Sequence, residues 1–271
     1  MNMFTSQPTS VPLSDEWLEA FVTELDSNEL VGIVLGGSYA RGNATTYSDV
    51  DFACIARDNA PPTPKRYIYR NGHLVSIGTK KLSDIRHSFM HPFTAFIVVP
   101  AMREIRILLD KDGSVTAMRE EACAFRWEMI QEKANELVSI DMVIYAEMIH
   151  KLLNCLQSND ESALAFVTAK MLNMLTNTMA VQRGILVKTD STFYQQVYEA
   201  IGLDSAWTRY HRMIVGLAPC PDGMPLVKAH AVMLVHLYHE MVELVRPVLQ
   251  EEHVAVIEEC LHVLDAARSL W

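Results

Sequence analysis

The sequence predicts an α+β fold, in which a mixed α/β segment of about 110 residues precedes an all-α helical bundle. In the first part, short apolar runs are bounded by turn residues, which is typical of strands. After about residue 115, glycine and proline become rare and apolar residues recur at helical spacing over long segments. Turn residues cluster at 111–114, so we predict one domain over residues 1–112 and a second over residues 113–271.

The first predicted element is a helix over residues 14–26. Trp17, Phe21 and Leu25 recur there at a spacing of four residues. Ser14 precedes them as a candidate N-cap, because its hydroxyl can accept from a free backbone N–H of the first turn. Three apolar runs that follow predict buried strands, at 30–37, 50–56 and 104–110.

A β-hairpin is predicted around Asn71–Gly72. The runs RYIYR and HLVSIGT, both rich in strand-forming residues, flank this dipeptide. Asparagine and glycine tolerate the positive φ angles of a type I′ turn, which is why this pair is a strong hairpin signal.

The second part predicts a bundle of helices. The candidate helices are 117–137, 138–157, 161–184, 191–201, 205–214, 224–249 and 252–269. Their histidines do not form a zinc-binding pattern, since no H-E-x-x-H occurs, and we interpret them as ordinary helix residues.

Composition predicts a cytoplasmic protein without a membrane span. No run of about eighteen uninterrupted apolar residues occurs. The N-terminal residues MNMFTSQPTS lack a basic patch followed by an apolar run, so we predict no secretory signal. Five cysteines are scattered without a C-x-x-C pair, which is typical of reduced thiols.

The net charge of −10 makes a nucleic-acid partner a poor expectation, because such partners need clustered cations. Residues 1–110 carry ten Lys/Arg and twelve Asp/Glu, whereas residues 111–271 carry thirteen and twenty-one. The acidic second part would suit a cationic small molecule. Solvated acidic helix faces are the simpler explanation of the same charge.

The segment GGSYARGNATTYSDVDF, residues 36–52, carries the predicted chemistry. A strand delivers the chain to Gly36 and Gly37, which allow a sharp turn and a close approach to a ligand. Ser38 then opens a short helix, where backbone N–H groups and the hydroxyl would face a phosphate. On the next strand, alternation would place Asp49 and Asp51 on one face, where two carboxylates can share a hard cation.

This segment resembles the DNA polymerase β-like nucleotidyltransferase superfamily, whose signature is Gly-Ser, about ten residues, and Asp-x-Asp. The matching residues here are Gly37, Ser38, Asp49 and Asp51. The resemblance implies a small mixed sheet with helices behind it, Mg²⁺ held by the two aspartates, and a nucleoside triphosphate, with ATP expected. Arg41 would either contact the triphosphate or cap the loop.

One departure concerns the third carboxylate that the superfamily usually supplies from a later strand. The corresponding position lies close to Ser76, and a hydroxyl is a poor substitute for a charged metal ligand. The site would then use two aspartates plus water, recruit Asp84 or Glu104, or bind nucleotide without efficient turnover.

The order of a nucleotidyltransferase domain and a helical bundle resembles the antibiotic-modifying branch that includes kanamycin nucleotidyltransferase. That resemblance implies a glutamate general base and a phosphate-binding lysine one turn later, for which Glu147 and Lys151 have the right spacing. Asp141 is a weaker candidate base, and an ordinary surface salt bridge explains the same Glu147–Lys151 pair. The acceptor would be a small-molecule hydroxyl, such as that of an aminoglycoside-like cation, and the bundle would allow a homodimer.

Two alternatives remain open from the sequence. The missing third acid also fits a catalytically weak nucleotide-binding or regulatory protein. A nucleotidyltransferase that modifies a protein partner is the other alternative.

Overall fold

The structure is a computed structural model that describes residues 13–270. The segment MNMFTSQPTS, for which we predicted no secretory signal, lies outside the described residues. Contacts divide the chain into two compact units, one ending at Arg126 and the other beginning at Trp127. No helix among the described residues combines the length and the apolar character that crossing a bilayer requires.

The first unit is built on a five-stranded mixed sheet with the order β3-β4-β2-β1-β5. The strands are β1 Leu30–Gly36, β2 Val50–Ala56, β3 Arg66–Arg70, β4 His73–Lys81 and β5 Arg106–Asp110. Strand β1 pairs antiparallel with both β2 and β5, β2 pairs parallel with β4, and β3 pairs antiparallel with β4. The predicted strands and the α+β class are therefore confirmed.

The predicted first helix is confirmed as α1, Asp15–Leu25, and Ser14 caps it by accepting from the Trp17 backbone N–H at 3.1 Å. Its apolar face covers one side of the sheet. The Phe21 ring lies 4.7 Å from the ring of Phe52 on β2, measured between centroids. This core forms because alternate residues of β1, β2 and β4 point to the same side as α1.

The predicted hairpin is confirmed between β3 and β4. Asn71 has a φ of 50° and Gly72 a φ of 82°, as a turn with two positive φ angles requires. Arg70 and His73 form the last pair of the ladder, so the turn has two residues.

Four further helices complete the first unit: α2 Gly37–Arg41, α3 Leu82–Phe89, α4 Pro92–Arg103 and α5 Ser114–Ala124. Helix α4 was not predicted. Its sequence is largely apolar on all sides and contains Pro100, so a helical alternation of polar and apolar residues is absent. Proline at the first position of the helix is favourable, because that N–H has no partner in any helix.

Helix α5 packs with the sheet unit, although the predicted division at residues 112 and 113 would assign it to the bundle. Asp110 at the end of β5 accepts from the backbone N–H and the hydroxyl of Thr116, at 2.9 and 2.7 Å. The guanidinium of Arg86 on α3 contacts the Glu121 carboxylate of α5 at 2.6 Å. These contacts explain why the first compact unit extends to Arg126. The domain limits at residues 112 and 113 stay a prediction.

The second unit is helical, as predicted. It contains α6 Gln131–Ser158, α7 Glu161–Gln182, α8 Phe193–Ile201, α9 Ala206–Ile214, α10 Leu226–Val245 and α11 Glu251–Ala266. The predicted break between 137 and 138 is wrong, because α6 continues through it. The predicted helix over 117–137 is instead interrupted between α5 and α6, where Phe125 has a ψ of 137° and residues 127–129 form a 3₁₀ turn.

A buried histidine joins three helices of this unit. The Tyr198 hydroxyl of α8 lies 2.8 Å from Nδ1 of His211 on α9, and the Thr176 hydroxyl of α7 lies 2.9 Å from its Nε2. Thr176 already donates its proton to the Leu172 carbonyl. It must therefore accept from Nε2–H, so Tyr198 donates to Nδ1 and the imidazole is neutral. Burial lowers the pKa of His211 to about 4.

Candidate functional site

A glycine turn connects the end of β1 to α2. Gly36 ends the strand in an extended conformation, and Gly37 opens the helix with a φ of +63°. That backbone conformation strains residues that have a Cβ atom. The following Tyr39 hydroxyl lies 3.2 Å from Nδ1 of His73 on β4, so α2 is also linked to the hairpin.

Asp51 lies directly against this turn. In the sheet, Asp51 of β2 is in register with Gly36 of β1. A Cβ atom added to Gly37 would lie 2.5 Å from Asp51 Oδ2, so only glycine leaves room for the carboxylate. The sequence places the glycine turn and this acid about a dozen residues apart, and the β1–β2 ladder brings them into contact.

Asp49 precedes β2 by one residue and is exposed, whereas Asp51 is half-buried. Val50 and Phe52 are buried in the core that α1 covers. Asp51 is therefore on the opposite side of the strand, facing away from that core. A hydrogen bond with Tyr67, and to a smaller extent the negative charges of Asp51 and Asp49, raise the pKa of the Lys65 ammonium.

Ser76 occupies the strand position next to Asp51 on the other side, as the sequence comparison with the superfamily pattern suggested. The parallel β2–β4 ladder sets Ser76 in register with Asp51. The Ser76 hydroxyl is 2% exposed and donates to Asp51 Oδ1 at 2.5 Å. The hydroxyl thus fixes the orientation of the carboxylate but adds no negative charge.

Arg41, at the end of α2, forms an ion pair with Glu104, with 3.4 Å between Nη1 and Oε2. Its Nε is buried without a hydrogen-bond partner within the described part of the chain. A buried donor without a partner is unfavourable unless a ligand or water completes it. Glu104 was one candidate for a third acid, and in the structure it pairs with Arg41. The other, Asp84, is an exposed residue of α3.

Lys65 is the residue near the acidic pair that the sequence patterns missed. Lys65 is the last residue of the proline-rich segment 60–65, which the sequence predicts only as a loop that connects two strands. Its Nζ lies 4.8 Å from the centroid of the Tyr67 ring. The available signal was its place beside β3, where the exposed Tyr67 and Tyr69 alternate with the half-buried Ile68. Only the sheet order shows that β4 alone separates β3 from β2.

In the helical unit, the predicted base and phosphate ligand form an ion pair on α6. Glu147 Oε1 lies 2.6 Å from Lys151 Nζ, and their side chains are 68% and 53% exposed. The hydrogen bond from Lys151 lowers the pKa of Glu147. Asp141, the weaker candidate, accepts from the Thr178 hydroxyl of α7 at 2.8 Å, and burial raises its pKa. Its carboxylate is thus used to join α6 to α7.

The donor set around Asp51 suits a hard cation. Within residues 13–270, no group of three or more His, Cys, Asp or Glu side chains is placed to hold a metal ion. Asp49 and Asp51 supply carboxylate oxygens alone. Mg²⁺ commonly takes one or two carboxylates and completes its shell with water and substrate phosphates. The two aspartates therefore fit a magnesium ion that arrives with a nucleotide.

Comparison with known proteins agrees with this geometry. Residues 16–106 match the family model described as "Nucleotidyltransferase domain". Over 79 residues, the chain is 38% identical to "Putative protein adenylyltransferase MJ1305" of Methanocaldococcus jannaschii, which covers 29% of this chain and 45% of that protein. The chain therefore spans less than half the length of this relative.

Among solved structures, a nucleotidyltransferase-like protein from Exiguobacterium sibiricum superposes with a TM-score of 0.49 and 13% identity. The alignment covers 83% of this chain and 72% of that one.

Proposed function

We propose that this chain, whose residues 16–106 match the nucleotidyltransferase domain model, transfers a nucleoside monophosphate from a nucleoside triphosphate to a hydroxyl group. The observation that carries the proposal is the contact between the Asp51 carboxylate and the Gly37 turn. It puts a candidate metal ligand beside a candidate phosphate cradle, as nucleotidyl transfer requires.

Asp49 and Asp51 would hold Mg²⁺, which lowers the negative charge on the phosphate oxygens when it is bound. The hydroxyl of Ser76 keeps Asp51 in one orientation, since it donates to Oδ1. Oδ2, on the side of the glycine turn, stays available. The metal site would then consist of two carboxylates and the phosphate oxygens of the nucleotide, instead of three carboxylates.

Gly37, Ser38 and Arg41 would bind the triphosphate. The turn at Gly37 lets phosphate oxygens approach the backbone, and the Ser38 hydroxyl can donate to them. The free Nε of Arg41 supports a phosphate contact, because a phosphate oxygen would give this buried donor its missing partner.

In the transfer step, a bond forms between the acceptor oxygen and the α-phosphorus, and the bond from that phosphorus to the bridging oxygen breaks. Pyrophosphate leaves with the electron pair, and the acceptor proton passes to a general base. We assign this base to Glu147, with Lys151 as a phosphate contact. Glu147 is ionised at neutral pH, as a general base must be, although the hydrogen bond from Lys151 lowers its pKa and so weakens it as a base.

For the acceptor we propose a small molecule, with an aminoglycoside-like cation as the first candidate because the chain is acidic. A protein hydroxyl is the second candidate, favoured by the name of the Methanocaldococcus relative. Cytoplasmic location and a homodimer also remain part of the proposal, on the sequence arguments given above.

The test is a transfer assay with labelled nucleotides, Mg²⁺, amino-sugars and protein acceptors. We expect Asp51→Asn to lower pyrophosphate release at least about a thousandfold, because one of two metal-binding charges is lost. Asp58→Asn removes an exposed acid of the same unit and should leave the rate within about twofold.

The variant Glu147→Gln is measured in the same assay. Its control is Glu136→Gln, which changes another exposed glutamate of α6. Loss of about a hundredfold in kcat is expected for a general base. Nucleotide binding without release of pyrophosphate for any acceptor would favour the regulatory alternative. Equal rates for the wild type and Asp51→Asn would refute the assigned site.

A further inference from the structure

Lys65 lies against the ring of Tyr67, on the face of the sheet that carries Asp51. Lys65 Nζ lies 4.8 Å from the Tyr67 ring centroid, which is the distance range of a cation–π contact. The hydrogen bond with Tyr67 first, and the charges of Asp51 and Asp49 after it, raise the pKa of this ammonium. Lys65 is exposed to solvent, and Tyr67 is 59% exposed, so a ligand can reach both side chains.

Sheet register explains this placement. Tyr67 on β3 is in register with Ser76 on β4, and Ser76 is in register with Asp51 on β2. Residues in register on neighbouring strands project from the same face, and Tyr67 is two strand spacings, about 10 Å, from Asp51. Lys65 lies two residues before Tyr67, so its side chain is on the same face of the sheet as Ser76 and Asp51.

Lys65 and the glycine turn lie on opposite sides of Asp51. Gly36 and Gly37 are on the β1 side, and Ser76, Tyr67 and Lys65 are on the β4 and β3 side. A triphosphate whose terminal phosphates occupy the glycine turn would extend past Asp51 toward Lys65. The phosphate nearest to Lys65 would then be the α-phosphate.

Charge balance gives this lysine a role. The usual third carboxylate is replaced by Ser76, so the site has one negative charge fewer with which to hold a second cation. Two-metal sites use the second ion to stabilise charge on reacting oxygens. An ammonium on the Ser76 side of Asp51 can supply that positive charge, and it needs no third carboxylate to hold it.

We propose that Lys65 is a nucleotide-binding residue that contacts the α-phosphate and supplies, on the Ser76 side of Asp51, the charge of a second cation. Tyr67 is its positioning residue. The ammonium keeps its proton throughout, and bonds form and break as in the transfer step above. This inference rests on the proposed function, because it assumes that a triphosphate binds at Asp51.

The test compares Lys65→Met with Lys80→Met, an exposed lysine of β4, in the full chain. Mn²⁺ binding is followed by electron paramagnetic resonance, and the binding of a non-hydrolysable ATP analogue is followed by calorimetry. Without nucleotide, Lys65→Met should bind Mn²⁺ several-fold more tightly, because a repelling charge is removed. With Mg²⁺, it should bind the analogue several-fold more weakly, and kcat should fall at least tenfold.

Lys65→Arg should restore most of the analogue affinity, and Lys80→Met should change none of these quantities by more than about twofold. Opposite changes in Mn²⁺ and nucleotide affinity are not expected of a residue that only supports the fold. If Lys65→Met changes neither affinity while Asp51→Asn abolishes transfer, the Lys65 inference is overturned and the proposed function stands. If Asp51→Asn also leaves Mn²⁺ binding and transfer intact, the proposed function fails as well.

Discussion

Two polar regions, around Asp51 in the sheet unit and around His211 in the helical unit, differ in how completely their groups are bonded. Both nitrogens of the His211 ring have hydrogen-bond partners, and the side chain is fully buried. Asp51 is half-exposed, and only its Oδ1 accepts a hydrogen bond from within the described chain, the one from Ser76. Nearby, the buried Nε of Arg41 has no described partner.

This difference distinguishes a structural cluster from a candidate binding site. A buried polar group whose hydrogen bonds are complete stabilises one packing of the helices and leaves nothing for a ligand. Incomplete groups on a rigid strand and turn are held ready for a ligand that completes them. We therefore expect substitutions at His211 to change stability, and substitutions at the Gly37 turn to change activity.

The largest effect is expected for His211→Ala. This change leaves the Tyr198 hydroxyl without its acceptor and opens a cavity beside Trp207, whose ring stacks on the imidazole at 5.0 Å. We expect the free energy of unfolding in urea to fall by about 3 kcal/mol. His150→Ala, at an exposed position of α6, should change it by less than about 0.5 kcal/mol. Similar losses in both variants would mean that the His211 cluster does not hold these helices together.

The next effect is expected for Gly37→Ala, with Gly42→Ala as the matched control. Both residues have positive φ, at 63° and 72°, so both substitutions introduce backbone strain of about 1 kcal/mol. Only at Gly37 would the new methyl group meet Asp51, because nothing lies within 4 Å of a Cβ at Gly42. We expect kcat/KM to fall about a hundredfold more in Gly37→Ala. Equal losses in the two variants would show that strain alone matters.

The third effect, smaller than the first two for each pH unit, is the pH dependence that His211 confers. Its pKa is about 4 in the folded chain and about 6.5 when unfolded. The unfolded state therefore binds the proton first, and stability is lost as pH falls from 6.5 toward 4. Each pH unit within this window should remove up to about 1.4 kcal/mol. Urea unfolding of the wild type and His211→Phe measures the contribution as the difference in slope, and identical slopes would contradict it.

Much of the sheet unit could be predicted because its signals are local. The Asn71–Gly72 turn, the Ser14 cap and the apolar runs of the strands depend on residues close in sequence, and each is confirmed. Helix α4 could not be predicted in this way, because it is apolar on nearly every side. The break between α5 and α6 was misplaced, since helical spacing continues through a segment that packing interrupts.

The candidate site divides along the same line. Spacing alone identified Gly37, Ser38, Asp49 and Asp51, because the segment is continuous and its chemistry needs those residue types in that order. Of the partners of that segment, Ser76 was expected only through the superfamily pattern and Lys65 was not expected, since they follow Asp51 by 25 and 14 residues. The roles of Glu147 and Lys151 stay predictions.

By itself, the sequence determined the order of elements, the glycine-serine turn and the pair of aspartates, because each depends on the periodicity and conformational preferences of neighbouring residues. Only the tertiary structure decided that Asp51 lies between the turn and Ser76, that Arg41 pairs with Glu104, and that Lys65 and Tyr67 share the face of the sheet that carries Asp51. The reason is physical: strand order and register set which distant side chains become neighbours, and long-range packing selects them.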